Sequence, residues 1–283
     1  MPTRAPLFPA GAVAVPPARH RPVGAALFGV CRTCHGPSRP GSGICWSCRE
    51  IQLLLREKAP KVVPVFLHTQ PSAAYRYLVA YKGAVSMSSR EHAADLLARL
   101  FGQWLAAHLR CLVGFPPASR QVLLVPVPSS SGGRPSWEGR HPLVALAERA
   151  ARELKGAVAS APLLEASPHP PQRLRPHADG FVMSRDVMGE AVVVLDDIWT
   201  SGARAMSAAS ALRKAGAEVR AIVPIGRQVR PDHNEHAAAF WAELGRVGAD
   251  LSICASSPSC RKAPAGERVL ARSRASAVER LAA

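Results

Sequence analysis

Two stretches of this 283-residue chain carry residues whose types and spacing can do chemistry. In the first, Val192-Val193-Val194-Leu195 runs into Asp196-Asp197-Ile198-Trp199 and then into Thr200-Ser201-Gly202-Ala203-Arg204. A loop of this kind, opening a helix, offers an anion the backbone N–H groups of about Ser201 to Arg204, the Thr200 and Ser201 hydroxyls and the positive helix end. Gly202 lets the backbone come close. The helix end contributes about 0.3 to 1 kcal/mol and each hydrogen bond to a charged group about 1.5 to 3, enough together to hold a monophosphate. Two carboxylates beside that phosphate would repel it unless they faced a sugar or a cation. Ribose hydroxyls, with or without magnesium, resolve the conflict: Asp196 and Asp197 accept from the hydroxyls while the turn takes the phosphate.

The second stretch is Cys31-Arg32-Thr33-Cys34 followed by Cys45-Trp46-Ser47-Cys48, two C-x-x-C pairs. Each pair has the spacing at which a tight turn aims two sulfurs at one ion, and four thiolates complete a tetrahedral zinc site with no open position. The intervening Gly36, Pro37, Pro40, Gly41 and Gly43 form turns and bury no core. A structural zinc, with an apparent binding energy of about 10 to 16 kcal/mol, therefore has to organise the segment. His35 could replace a ligand, although adjacent residues rarely face one ion. Cys111, Cys254 and Cys260 have no partner at short spacing and read as buried or incidental thiols.

The elements that must position these groups follow from periodicity. Glu50 to Lys58 continues the last cysteine as a helix, Val62 to Leu67 is a β segment, and Tyr75 to Ala80 is a second short helix. Ser88 with Glu91 has a capping-box pattern, and Leu97, Leu100, Phe101, Trp104 and Leu109 then recur at helical spacing as core. Val122 to Val127 and Ala191 to Leu195 are continuous apolar runs, the mark of buried parallel strands. Leu143 to Leu154 is helical; Ala203 to Ala215 is a helix and Val219 to Ile225 a strand, closing a βαβ unit. Ligands of such sheets bind outside the carboxyl ends of the strands, which is where Asp196 and Asp197 are expected. Asp232, His233, Glu235 and His236 follow Pro231 and read as a helix start rather than a metal site.

The stretch from Val192 to Arg204 resembles the diphosphoribose-binding signature of type I phosphoribosyltransferases. With the four-cysteine module, the chain from about Cys31 to Arg227 resembles the ComF family of competence-associated phosphoribosyltransferase-like proteins. Ala80-Tyr81-Lys82-Gly83 is similar to that family's Lys-Tyr-Lys-Gly region, Val125-Pro126-Val127-Pro128 to its first sheet strand, and Gly139 to Pro142 to a remnant of its Arg-Gly motif. The resemblance implies an α/β, parallel-sheet type I phosphoribosyltransferase-like fold with a small zinc-ribbon-like module. It implies that Asp196 and Asp197 bind ribose hydroxyls as the catalytic acids, that Thr200, Ser201, Gly202, Ala203 and Arg204 bind the 5-phosphate, and that Ser129, Ser130 and Arg134 bind the diphosphate leaving group. Magnesium would accompany that diphosphate. Arg204 stands where the family has Thr or Ser, and Glu138 and His141 interrupt the basic motif. Lys82, a lone lysine before glycine, reads as a solvated turn residue rather than a catalytic one.

Composition sets the outer bounds. An apolar fraction of 48% supports a globular core, and a net charge of +16 favours anionic partners. No run of five basic residues marks a nucleic-acid arm, and no stretch of eighteen apolar residues marks a membrane span. Prolines interrupt the apolar pieces of the N-terminus, so the chain is expected to be cytoplasmic, with reduced cysteines. The expected organisation is an irregular Pro-rich segment over 1–24, the cysteine module over 25–60, the α/β domain over 61–230 and a helical or irregular extension over 231–283. The leading expectation is transfer of a phosphoribosyl group from phosphoribosyl diphosphate, or binding of that or a related sugar phosphate. The alternative is a non-catalytic DNA uptake or processing accessory that keeps the fold, binds single-stranded DNA and docks a DNA-processing protein. A ligand-sensing regulator is a third.

Overall fold

The apolar runs of the sequence become the middle of one sheet. The computed structural model describes residues 13–14, 29–83, 86–114, 121–128, 141–154, 156–244 and 254–256. In chain order these form β1 (Val13–Ala14), β2 (Gly29–Val30), β3 (Pro37–Ser38), α1 (Trp46–Leu55), β4 (Phe66–His68), α2 (Ala73–Gly83), α3 (Met87–Val113) and β5 (Val122–Pro126). There follow α4 (Pro142–Arg152), β6 (Val158–Ser160), β7 (Leu164–Ala166), β8 (Phe181–Met183), β9 (Ala191–Trp199), α5 (Ala203–Lys214), β10 (Glu218–Gln228) and α6 (Glu235–Leu244).

The main sheet has the order β1-β4-β10-β9-β5-β6. Strands β4, β10, β9, β5 and β6 are mutually parallel, and β1 joins the β4 edge antiparallel. The chain is therefore an α/β protein with a five-stranded parallel sheet and, at its N-terminal side, a cluster of four cysteines. Parallel strands need both faces covered, because their crossovers lie on the faces. On one face α2, α3 and α4 bury Leu78, Leu97, Phe101, Trp104 and Leu146 against Val193 and Leu195. On the other, α5 and α1 bury Ala205, Leu212 and Ile51 against Val192, Val194 and Val125. Alternate residues of β9 thus serve opposite cores, as the two-residue period of a strand requires.

Several boundaries differ from the sequence reading for identifiable reasons. Strand β9 continues past Leu195 to Trp199, because its ladder to β10 is unbroken where the apolar run stops: Asp196 pairs with Pro224, Ile198 with Gly226 and Trp199 with Arg227. The two acids therefore lie inside the last turn of the ladder rather than beyond it. Helix α3 is capped by Ser86, whose hydroxyl accepts from the Ser89 N–H at 3.1 Å, and not by Ser88 with Glu91. Most of the expected strand over Val62 to Leu67 is irregular; Val62 makes an isolated bridge to Ile222, and the strand proper is β4. Asn234 accepts from the Ala237 N–H at 2.9 Å and caps α6, so the acids and histidines near Pro231 do mark a helix start.

Candidate functional site

The order of the strands locates a crevice before any side chain is considered. After β5 the chain crosses through α4 to β6 on one side; after β9 it crosses through α5 to β10 on the other. Between the carboxyl ends of β5 and β9 the connections diverge, the switch point at which open α/β sheets bind ligands. A cavity of about 400 Å³ lies there, bounded by Val127 beyond β5, by Asp196, Asp197 and Ile198 at the end of β9 with Thr200 to Arg204 of the turn that follows, and by Lys82, His141 and Arg173. That volume lies within the range of about 300 to 1,000 Å³ for small-molecule sites.

The two acids at this rim differ in environment because neighbouring strand residues point to opposite faces. Asp197 has the parity of Val193 and Leu195 and so meets α2. It is buried, its Oδ2 accepts from the Tyr81 hydroxyl at 2.5 Å and pairs with the Lys82 ammonium, and its Oδ1 accepts from the Ile198 N–H at 2.7 Å. Burial opposes its ionisation, but Lys82 and Tyr81 outweigh that, and the carboxyl titrates below the ordinary range. Burial, with the Asp197 charge behind it, drives the Tyr81 phenol well above its usual range, so that it stays a donor. Asp196 is only half-buried and its Oδ1 accepts from the Asp197 N–H at 3.1 Å. Burial, reinforced by Asp197, raises its pKa to about 7. One acid is thus charged and engaged at neutral pH, and the other sits at the cavity and titrates near neutrality.

Lys82 is therefore not the solvated turn residue its sequence context implies: it belongs to α2 and pairs with Asp197. Tyr81 and His141 fall in stretches that the family resemblance singles out, but neither they nor Arg173 had a site role legible in the sequence. His141 stands at the N-cap of α4, where its Nδ1 accepts from the Leu143 N–H at 3.2 Å, and burial, followed by the nearby Lys82 charge, lowers its pKa. The signals that pointed at this wall were the Tyr-Lys-Gly sequence and the Gly139 to Pro142 stretch.

The turn after β9 has the geometry its composition requires. Gly202 is left-handed at φ 90 and ψ 0 and is the N-cap of α5, and the buried Trp199 indole lies directly beneath it. A Cβ on Gly202 would stand 2.5 Å from Trp199 Cε2 and 2.6 Å from Cη2. Thr200 is exposed at the cavity. Ser201 is buried, and its hydroxyl donates to the Arg173 carbonyl rather than pointing at a ligand; the Ala203 N–H reaches Ser201 Oγ at 3.4 Å. Arg204 lines the cavity and its guanidinium donates to the Pro128 carbonyl, tying the start of α5 to the end of the β5 segment. Ser129, Ser130 and Arg134, with Glu138 and Gly139, lie outside the described residues.

The cysteines form the second centre. Strands β2 and β3 pair as a short hairpin, and between them the Cys31 N–H donates to the Gly36 carbonyl and the His35 N–H to the Cys31 carbonyl, both at 2.9 Å. Cys45 is the N-cap of α1 and Cys48 lies in its first turn. The four sulfurs lie within 4.8 Å of one another, and Cys34 and Cys45 Sγ are 3.8 Å apart. A tetrahedron with Zn–S bonds of about 2.3 Å has edges of about 3.8 Å, so the cluster fits a structural zinc site. The Cys34 thiol is held well below its usual range by hydrogen bonds from Cys31, Cys45 and Cys48. His35 is turned away from the sulfurs: its Nε2 meets the Val62 carbonyl at 3.0 Å. Arg227, buried at the end of β10, adds the local cation. Burial works against its charge, and the sulfurs, Cys34 first, more than offset that.

Cys31, Cys34 and Cys48 share a core with Val125, Val194 and Met206, so the cysteine segment is packed on the sheet and not appended to it. Fold and site together define the class: an α/β protein with an open parallel sheet, an acid-rimmed crevice at its switch point and a four-cysteine cluster beside it. Comparison with protein-family models finds no match, and comparison with curated proteins finds none either. No helix among the described residues is long and apolar enough to cross a membrane.

Proposed function

We propose that the chain belongs with the ComF-like phosphoribosyltransferase-type proteins and binds phosphoribosyl diphosphate with magnesium in the β5–β9 crevice, transferring the phosphoribosyl group to an acceptor. The observation that carries this reading is the placement of the Asp196–Asp197 strand end, the left-handed Gly202 turn and the N-terminus of α5 on a single cavity of about 400 Å³. In this reading the α5 N-terminus and Thr200 take the 5-phosphate, and Asp196 accepts from a ribose hydroxyl. Asp197, held by Tyr81 and Lys82, positions Asp196 through the backbone between them. The diphosphate lies toward the segment after β5, where Ser129, Ser130 and Arg134 would meet it and Arg204 fixes that segment's origin at Pro128. Magnesium arrives with the diphosphate and would offset the charge that builds on it as it leaves. The anomeric carbon passes through a state of oxocarbenium character, which the Asp196 carboxylate stabilises electrostatically.

Calorimetry with magnesium phosphoribosyl diphosphate tests this. Binding is expected in the unmutated protein, and D196N is expected to weaken it about tenfold, or about 1.4 kcal/mol; absence of binding by the unmutated protein refutes it.

One observation favours the second reading, a non-catalytic DNA-processing accessory. Trp46, Leu53 and Leu54 are about 60% exposed and recur along one side of α1, an apolar strip that a partner protein could cover. With a net charge of +16, single-stranded DNA is the nucleic acid to try. Its affinity would fall steeply with salt, in proportion to the phosphates contacted, whereas the sugar-phosphate reading predicts competition by phosphoribosyl diphosphate.

A further inference from the structure

Three residues that looked unrelated in the sequence meet at the far end of α3. His108 and Cys111 are three positions apart in that helix and so lie on one face. Cys254 reaches them from the C-terminal part of the chain, and the three potential ligand atoms, one from each residue, all lie within 4.8 Å of one another. Cys254 and Ala255 are each 1% exposed and pack into the core formed by α2, α3 and α4. The next residue fixes the approach: Ser256 Oγ donates to the Cys111 carbonyl at 2.7 Å, and Lys61 Nζ donates to the same carbonyl at 2.9 Å. His108 is 1% exposed, with its ring 5.1 Å from that of Trp104, which restricts its orientation.

We propose that His108, Cys111 and Cys254 form a second metal site, for a zinc-class ion, distinct from the four-cysteine cluster. An imidazole with two sulfurs suits zinc and excludes magnesium and calcium, which take oxygen donors. Around tetrahedral zinc the ligand atoms stand about 3.3 to 3.8 Å apart, so a set already within 4.8 Å closes by side-chain adjustment alone. Three protein ligands leave one coordination position for water or another donor. Because two ligands come from α3 and the third from the C-terminal segment, the ion fastens that segment over the helix and buries Cys254 against the core.

The test is metal content by mass spectrometry on reduced protein, for the unmutated chain, H108N and C254S. Each variant is expected to lose one zinc per chain relative to the parent. Because the reading is a difference, it does not depend on how much metal the four-cysteine cluster holds. H108N keeps both thiols and so separates metal binding from sulfur chemistry. In cobalt-substituted parent protein, thiolate-to-cobalt absorption is expected to exceed that of C254S. Equal metal content in parent and both variants overturns the proposal. So does peptide mapping that finds a Cys111–Cys254 disulfide, with no metal, in protein isolated under mild reduction.

Discussion

Replacing Gly202 by alanine perturbs the turn at the site's centre and nothing more distant. Two costs add. An L-residue in the left-handed region at φ 90 costs about 1 to 2 kcal/mol. The new methyl would also stand 2.5 Å from Trp199 Cε2, well inside ordinary contact, and the indole is 1% exposed, so it can move only by displacing the packing around it. Overpacking of this kind costs about 1 to 3 kcal/mol. The sum, about 2 to 5 kcal/mol, corresponds in a chain of this size to a fall in melting temperature on the order of 10 °C. Thermal unfolding by circular dichroism reads the stability, and calorimetry with magnesium phosphoribosyl diphosphate reads the site. The variant is expected to lose both stability and binding. A melting temperature within about 1 °C of the parent would show that the indole does not lie beneath the turn, and the account of why glycine stands there would be wrong.

Other outcomes follow from the same geometry. D196N is expected to raise stability most above pH 7: the acid's pKa is raised on folding, so the native chain binds the extra proton and loses stability as pH rises from about 4 to about 7; denaturant titrations at pH 5 and 8 check it, and a larger gain at pH 5 contradicts the assignment. K82M removes the cation beside Asp197 and is expected to cost about 2 kcal/mol, less than the 3 to 5 of a fully buried pair because Lys82 is 37% exposed. Asp197's pKa is depressed on folding, so its contribution is present above the unfolded value and disappears as pH falls through the folded one. That acid-side loss should therefore flatten in K82M, as acid unfolding curves would read. C48S is expected to lower zinc content by about one per chain and to sensitise the protein to chelators; unchanged zinc content would place the metal elsewhere.

Much of the sheet was legible because buried parallel strands are written as unbroken apolar runs, and Val122 to Val127 and Ala191 to Leu195 are such runs. What the runs could not show is where hydrogen bonding stops. Asp196 to Trp199 stay in the ladder because β10 still offers partners, although the apolar signal has ended. The turn and the four cysteines were legible from local spacing, since each works within a few residues. Tyr81 and Lys82 were not: their roles exist only because α2 crosses over the end of β9, a contact between distant parts of the chain. Ser201 shows the reverse failure. Its type suits a phosphate ligand, yet its hydroxyl donates to the Arg173 carbonyl, which no local pattern could announce.

The buried Arg227 has a consequence for how this chain can be divided. Its guanidinium donates to the carbonyl of Trp199, the residue that immediately precedes the turn, at 3.3 Å, and it carries the charge that faces the cysteine sulfurs. Cutting the chain at about residue 60 would therefore not liberate a self-sufficient α/β half. It would remove the sulfurs that face the Arg227 charge and the Gly36 backbone that covers its guanidinium, and would bare Val62 and Met206 to water. The cysteine segment backs the turn through the core it shares with Trp199 and Met206, and shortened versions of the protein are expected to aggregate.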